Sequence, residues 1–308
     1  MLRKLLLFVA AAAVLGLALY WLVTRPEVVT ASDLPGYTPN IANGKTMFDA
    51  GGCVSCHATT RDERTILGGG LALRSPFGTF HVPNISQNPV DGIGRWSEAD
   101  FVTAMTKGTS PSGQHYFPAF PFTSYTKMKL EDVRDLFAYL KTLPQAAGTV
   151  RDHDVPFPFN IRRNLGGWKF LFFDDRPLEA DASKSPEWNR GAYLVNGPGH
   201  CAECHSPRNV LGGIVTSQRF SGGPNPEGEG WVPNITQKGL SAWSEAELAD
   251  FLDSGVTPNF TSVSGPMERV IKNLAQLSTA DRKAMAVYLK SLPAIEGPKR
   301  PEKSPPKS

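Results

Sequence analysis

The stretch GGCVSCHATT, residues 51–60, decides how this chain folds and what it binds. Its two cysteines, Cys53 and Cys56, are three residues apart, and His57 follows the second one directly. Residues i and i+3 of a helix share one face, so both thiols can bond to one porphyrin while the imidazole binds its iron. This C-x-x-C-H spacing is the attachment pattern of c-type haem. For one isolated motif, half of a zinc ribbon and a redox cysteine pair are the alternatives.

The motif occurs a second time, in HCAECHSPRN at residues 200–209, with Cys201, Cys204 and His205 in the same pattern. The chain has four cysteines, so the two motifs use all of them and no pair remains for a disulfide. The two halves of a zinc ribbon would lie much closer together, and a redox pair does not need the histidine. The sequence therefore predicts two covalently bound haem c groups.

Other features recur with the same offset of about 150 residues, which indicates duplication of one domain. They are VPNI at 82–85 and 232–235, Trp-Ser-Glu from Trp96 and from Trp243, and the endings YLKTLP and YLKSLP at Pro144 and Pro293. Asn84 and Asn234 of the VPNI repeats have two interpretations, hydrogen bonding to haem propionates or ordinary turn chemistry.

The pattern within each copy is helical, and strand-like alternation is scarce. Ser97 precedes acidic residues in the manner of a helix N-cap, and the apolar spacing from Leu130 onward is that of an amphipathic helix stopped by a proline. The predicted helices are Gly44–Ala50, Trp96–Gly108, Leu130–Pro144, Gly191–Asn196, Trp243–Gly255 and Leu277–Pro293. We therefore expect an all-α fold.

The first residues form an apolar segment from Leu5 to Val23, preceded by Arg3 and Lys4. That length is enough for a helix that spans a bilayer. A cleaved signal peptide is the alternative, but it normally has a shorter apolar core and a small-x-small cleavage site, which is missing near Val23. Positive charge before the segment favours a cytoplasmic N-terminus, with the rest of the chain on the other side.

From Pro35 onward the chain resembles the diheme and triheme cytochrome c subunits of membrane-bound bacterial alcohol, aldehyde and sugar dehydrogenases. The residues that carry the resemblance are GTFHVPNI (78–85), DGIGRWSEADF (91–101), HYFPAFPFTSYTKM (115–128), FPFNIRRNLGGWKFLFF (157–173) and EWNRGAYLVNGPGHCAECHSPRN (187–209). The sequence contains two C-x-x-C-H motifs and no third.

The resemblance implies two tandem class I cytochrome c domains behind a single-pass anchor in the bacterial inner membrane, with the haem domains in the periplasm. It also implies two partners besides membrane lipid: a dehydrogenase catalytic subunit as donor, and quinone or a downstream cytochrome or oxidase as acceptor. The expected organisation is an anchor at 1–28, domains at 36–145 and 186–294, a linker at 146–185 and a disordered tail at 295–308.

Each iron needs a second axial ligand opposite His57 or His205. Met128 and Met267 lie outside the predicted helix interiors, after proline-containing loops, where class I cytochromes place this methionine. Thioether ligation raises the reduction potential, which suits an acceptor of electrons from a dehydrogenase. Met128 and Met267 are not at equivalent positions of the two copies, and His115 is the rival ligand for the first iron. The YTKM sequence, which matches the family, favours Met128.

Two functional classes follow from these residues. In the first, the protein only transfers electrons, because both irons are closed by a second ligand. In the second, it is a diheme enzyme of the thiosulfate dehydrogenase or peroxidase kind, which needs an open or unusual ligand position. We favour electron transfer, since Met128 and Met267 can close both sites. The net charge of +3 is mild, and nothing suggests a nucleic-acid partner.

Overall fold

The structure, a computed structural model, describes residues 1–60, 63–148 and 150–301 and is mostly helical. In order along the chain the helices are α1 (Leu2–Val23), α2 (Ile41–Ala50), α3 (Cys53–His57), α4 (Glu98–Lys107), α5 (Phe122–Tyr125), α6 (Leu130–Leu140), α7 (Asn164–Phe172), α8 (Pro186–Asn196), α9 (Ala202–His205), α10 (Gln237–Leu240), α11 (Glu245–Ser254), α12 (Pro266–Leu274) and α13 (Thr279–Ser291). Short 3-10 turns occupy Ala31–Asp33 and Thr216–Gln218.

Two short antiparallel hairpins interrupt the helices. Strands β1 (Ala72–Ser75) and β2 (Gly78–His81) pair with Leu73 opposite Phe80, and β3 (Gly223–Pro224) pairs with β4 (Trp231–Val232). The sequence analysis did not predict them, because strands of two to four residues are too short to show a period of two.

The helices form two lobes with the same packing. In the first lobe, α2 to α6, helix α2 crosses α6; in the second, α8 to α13, helix α8 crosses α13. A glycine, Gly44 or Gly191, lies at each crossing because the facing helix leaves no room for a side chain. A Cβ added at Gly44 would lie 2.1 Å from the Asp135 carbonyl oxygen, and one added at Gly191 would lie 1.9 Å from the Ala284 carbonyl oxygen. Helix α4 packs on α6, and α11 packs correspondingly on α13.

The starts and ends of α4 and α11 follow the predicted local signals. Ser97 accepts a hydrogen bond from the Asp100 main-chain N–H and completes a capping box with it, and Ser244 does the same with Glu247. Both helices end at a glycine in the left-handed conformation, a common helix terminator. Local sequence therefore sets the bounds of both helices.

A continuous hydrophobic core runs through both lobes. Its members include Met47, Met105 and Met285, which the sequence analysis assigned to packing, and all three are buried. A core that does not stop at the lobe boundary means that the lobes pack against each other.

The segment between the lobes, predicted as an interdomain linker, contains a helix. Helix α7 lies inside the predicted linker at 146–185 and packs on the end of α1. The first residues of the predicted disordered tail contact the second lobe. The Ile295 carbonyl accepts a hydrogen bond from Asn234, and Gly297 packs against Ser221. Residues 302–308 of that tail lie outside the described residues.

Candidate functional site

Both C-x-x-C-H motifs lie on short helices. Helix α3 contains the whole first motif and begins after Gly52, whose φ of +58° lies in the left-handed region. Cys201 is the N-cap of α9, and Cys204 lies within that helix. None of the four cysteines forms a disulfide. In each motif the two thiols are thus one helical turn apart, as attachment to one porphyrin requires.

The two motif histidines are held in the same way by the two VPNI repeats. The His57 Nδ1–H donates to the Pro83 carbonyl oxygen at 2.8 Å, and the His205 Nδ1–H donates to that of Pro233 at 2.8 Å. This contact fixes the tautomer and leaves the other ring nitrogen, Nε2, free to bind a metal. Burial lowers the pKa of His57 to about 4 and also lowers that of His205, so both rings are neutral, as an iron ligand must be.

The asparagines of the VPNI repeats hold their loops in place. Asn84 Nδ2 donates to the Ala146 carbonyl oxygen at 2.8 Å, and Asn234 Nδ2 donates to that of Ile295 at 2.8 Å. Their side-chain oxygens accept main-chain hydrogen bonds within the same loops. Of the two interpretations, turn chemistry accounts for these contacts, and the asparagines position the carbonyls that orient His57 and His205.

The two candidate methionine ligands lie on segments that border the opposite lobe. Met128 is 3% exposed, between α5 and α6, and a Cβ added at Gly197 of the second lobe would lie 3.6 Å from its Cγ. Met267 is the second residue of α12 and half-buried. Helix α12 packs on α2 and α3 of the first lobe.

The rival ligand, His115, contacts Thr24, the residue that caps the end of α1. Its Nε2–H donates to the Thr24 carbonyl oxygen at 2.9 Å, and burial lowers its pKa. Its Nδ1 is buried and has no hydrogen-bond partner among the described residues. Because Nε2 is already used, Nδ1 is the one ring nitrogen of His115 that could bind a metal.

The two motifs, far apart in the sequence, touch in space. The ring N–H of His200, the residue before Cys201, donates to the carbonyl oxygen of Gly51, two residues before Cys53, at 3.3 Å. The Tyr125 hydroxyl donates to the same oxygen at 3.4 Å, and its ring lies 5.7 Å from that of His200. A second contact between the lobes involves Ser55, between the two cysteines of the first motif. Asn273 of α12 donates to its hydroxyl at 2.7 Å.

Glu203, between the two cysteines of the second motif, is a site residue that the sequence analysis missed. Its carboxylate accepts hydrogen bonds from Thr123 (2.7 Å) and Ser124 (2.9 Å) of the first lobe and pairs with Arg208 at 2.7 Å. Burial would raise the pKa of Glu203, but Arg208 and the two hydroxyls outweigh that effect and lower it. An acidic residue inside the motif was the available signal, but its partners come from distant sequence.

Comparison with known proteins agrees with the presence of two C-x-x-C-H motifs in one chain. The cytochrome c family model matches residues 41–144. A diheme c-type cytochrome of Cereibacter sphaeroides is 46% identical over 297 residues, which is 96% of this chain and 99% of the relative. The motif pair and the full-length match thus point to the same class of protein.

Two further relatives are parts of dehydrogenases. A nicotinate dehydrogenase subunit of Pseudomonas putida is 37% identical over 92% of this chain and 24% of its own length. The fructose dehydrogenase cytochrome subunit of Gluconobacter japonicus is 35% identical over 88% of this chain and 56% of its own length. This chain therefore spans about half or less of these dehydrogenase subunits.

These matches confirm the resemblance to dehydrogenase cytochrome subunits and the prediction of two haems. The relative that this chain covers almost from end to end is a diheme cytochrome, and the chain has one haem-attachment motif in each lobe. The chain belongs to the diheme c-type cytochrome family and carries two covalently bound haem c groups.

Proposed function

We propose that this protein is a membrane-anchored electron-transfer subunit. It takes electrons from a partner dehydrogenase that oxidises alcohol, sugar or aldehyde substrates and passes them through two haems to quinone or a downstream cytochrome or oxidase. The contact between Gly51 and His200 carries the proposal, because it brings the two haem-attachment segments together. Relatives that are dehydrogenase subunits support the choice of donor.

The haem-binding residues are assigned motif by motif. Cys53 and Cys56 hold one haem through thioether bonds, and Cys201 and Cys204 hold the other. His57 and His205 are the proximal ligands, because the Pro83 and Pro233 carbonyls hold their Nδ1 atoms and leave Nε2 available. The bound haem supplies one-electron chemistry at its iron.

Met128 and Met267 are the proposed distal ligands. Met128 is nearly fully buried, whereas the rival ring of His115 uses Nε2 to hold the end of α1. Two thioether ligands close both irons and keep both potentials high, which favours electron transfer over the thiosulfate dehydrogenase or peroxidase alternative.

Each lobe is one cytochrome c domain in this proposal, at residues 36–145 and 186–294. The repeated crossings at Gly44 and Gly191, and the repeated histidine contacts, support a tandem duplication.

Helix α1 is the proposed anchor in the inner membrane. It has 22 residues, none of them buried, and is long and apolar enough to cross a bilayer. Arg3 and Lys4 at its start favour a cytoplasmic N-terminus, which puts both lobes in the periplasm.

Substrate-dependent haem reduction in washed membranes tests the proposal. Membranes that contain the full-length protein are given ethanol, acetaldehyde, fructose, gluconate or nicotinate in turn, and the haem spectrum is followed. We expect one substrate class to reduce both haems, and membranes that lack the protein to lose the corresponding reduction of acceptor. If no substrate reduces the haems, while thiosulfate or peroxide is turned over by the isolated protein, the enzyme alternative is correct.

A further inference from the structure

Six exposed apolar side chains lie on three neighbouring segments of the chain, which we call the basal patch. They are Phe157 (78% exposed), Phe159 (46%), Phe170 (73%), Leu171 (62%), Val210 (92%) and Leu211 (51%). Large apolar side chains gathered on one surface mark a contact with a partner or a membrane.

Direct contacts join the three segments into one surface. The ring of Phe159 lies 5.3 Å from that of Phe77, and Phe77 also covers Gly212, next to Leu211. Trp168 of α7 donates its indole N–H to the Leu211 carbonyl oxygen at 2.9 Å. The patch therefore extends from the segment between the lobes onto the second lobe.

The patch is also continuous with the end of α1. Tyr20 donates a hydrogen bond to Asn164 at 2.9 Å, and Arg163 donates to the Trp21 carbonyl oxygen at 2.6 Å while its guanidinium lies 4.0 Å from the Trp21 ring centroid. Gly166 packs against Thr24, where a Cβ would lie 2.6 Å from the Cα. Helix α7 is thus fixed directly to the last turn of α1, without a flexible connection.

The length of α1 indicates where the contact between α1 and α7 lies relative to the bilayer. Twenty-two residues rise about 33 Å, and the hydrocarbon core of a bilayer is about 30 Å thick. The last turn, with Tyr20 and Trp21, therefore lies at the membrane interface, where these two residue types are enriched. Arg25, just beyond it, is exposed and suited to anionic headgroups.

We propose that the basal patch rests in the interfacial layer of the same bilayer that α1 crosses, so that both lobes sit on the membrane in one fixed orientation. The inference rests on the proposed anchor. The bilayer is favoured over a protein partner because α7 begins at the level where α1 leaves the lipid.

The test uses the full-length haem-loaded protein, without any dehydrogenase, in vesicles of phosphatidylethanolamine and phosphatidylglycerol. A fraction of the lipid carries a photoreactive diazirine near the top of the acyl chain. After irradiation and digestion, mass spectrometry locates the labelled peptides. We expect label in α1 and in peptides that contain Phe157–Leu171 and Val210–Leu211.

A double variant, Phe170→Ser with Leu171→Ser, should lose the label on the α7 peptide and keep the label on α1. The matched control is Phe260→Asn, because Phe260 is 92% exposed on a second-lobe turn and has a φ of +59°, which asparagine tolerates. The control should leave the label unchanged, and its own peptide should stay unlabelled. If the double variant does not fold, the labelling pattern of the unaltered protein still decides.

The outcomes separate this inference from the anchor. Label on α1 alone overturns the inference and leaves the anchor standing. Label on the patch without α1 overturns the anchor and, with it, the inference, because the inference places the patch on the bilayer that α1 crosses. An unlabelled patch that crosslinks to a dehydrogenase in native membranes is a protein interface, which overturns the inference.

Discussion

At the scale of single residues, the motif histidines His57 and His205 show how position and protonation are set together. The Pro83 and Pro233 carbonyls accept the Nδ1 protons, and burial keeps both rings neutral. A ring held in this way loses little freedom when Nε2 binds a metal, so the ligand is preorganised. The two lobes differ more at the proposed distal ligands, Met128 and Met267, and single substitutions there are the most informative.

Met128→Ala removes the proposed distal ligand of the first haem. We expect the midpoint potential of one haem to fall and the weak far-red band of methionine-ligated ferric haem to lose about half its intensity, because a thioether raises the potential. Spectroelectrochemical titration measures both. Met267→Ala should affect the other haem. If Met128→Ala changes nothing while His115→Ala alters one potential, the first haem has two histidine ligands.

Glu203→Gln removes a buried charge next to the second haem motif and leaves Arg208 without its carboxylate partner. The folded-state pKa of Glu203 lies below its ordinary value of 4.5. Its stabilisation is therefore present above the unfolded-state pKa and is lost as the pH falls through the folded-state pKa. We expect a loss of about 1–3 kcal/mol at pH 7.

The measurement is the unfolding temperature of the unaltered protein and the Glu203→Gln variant from pH 7 down to pH 3. The two curves should converge at the acid end. Removal of the negative charge should also raise the potential of one haem, because ferric iron is then less stabilised. A constant difference in unfolding temperature over the whole pH range would contradict the role of the charge.

At the scale of elements, the two crossings α2–α6 and α8–α13 repeat one packing solution. Each depends on a glycine, because the facing helix backbone is too close for a side chain. The capping boxes at Ser97 and Ser244 and the left-handed glycines at Gly108 and Gly255 recur at corresponding positions of the two lobes.

Gly191→Ala tests the crossing of α8 with α13. The new Cβ would lie 1.9 Å from the Ala284 carbonyl oxygen, so the helices must move apart, at a cost of about 1–3 kcal/mol or more. Thermal unfolding followed by circular dichroism should show a lower unfolding temperature. Gly167→Ala in α7 is the control, since no atom lies within 4 Å of its added Cβ and alanine favours a helix. Equal effects of the two substitutions would contradict the packing argument.

At the scale of the whole molecule, several of the contacts that join the two lobes lie beside the haem motifs. The His200 to Gly51 contact, the Asn273 to Ser55 contact and the hydroxyls around Glu203 all lie beside the motif cysteines. Electron transfer between two haems needs such closeness, and the continuous core keeps it constant.

The haem count follows from the same arrangement. Mass spectrometry of the mature protein should show two haem additions that survive acid acetone. The variant Cys201→Ser with Cys204→Ser should show one, because it removes both thiols that can form thioether bonds in the second motif. One addition in the unaltered protein, or zinc in place of iron, would refute the assignment.

Much of the fold could be predicted from the sequence because its determinants are local. The C-x-x-C-H spacing, the Ser97 and Ser244 caps and the amphipathic spacing of α6 involve residues within one or two helical turns of each other. The offset of about 150 residues indicated duplication without any knowledge of packing. The elements missed include the short hairpins, α7 and α12, the helix that contains Met267. Short strands show little periodicity, and α7 has no strong polar face.

The contacts around the haem motifs depended on the tertiary structure. VPNI was visible as a repeat, but only the fold shows that its proline carbonyl holds the motif histidine. Likewise His115 was a plausible iron ligand in the sequence, and the structure bonds it to Thr24. The sequence by itself determined which groups this protein carries, because haem attachment needs residues a few positions apart. The tertiary structure decided how those groups meet, because Gly51 and His200 come together only when the two lobes pack around one core.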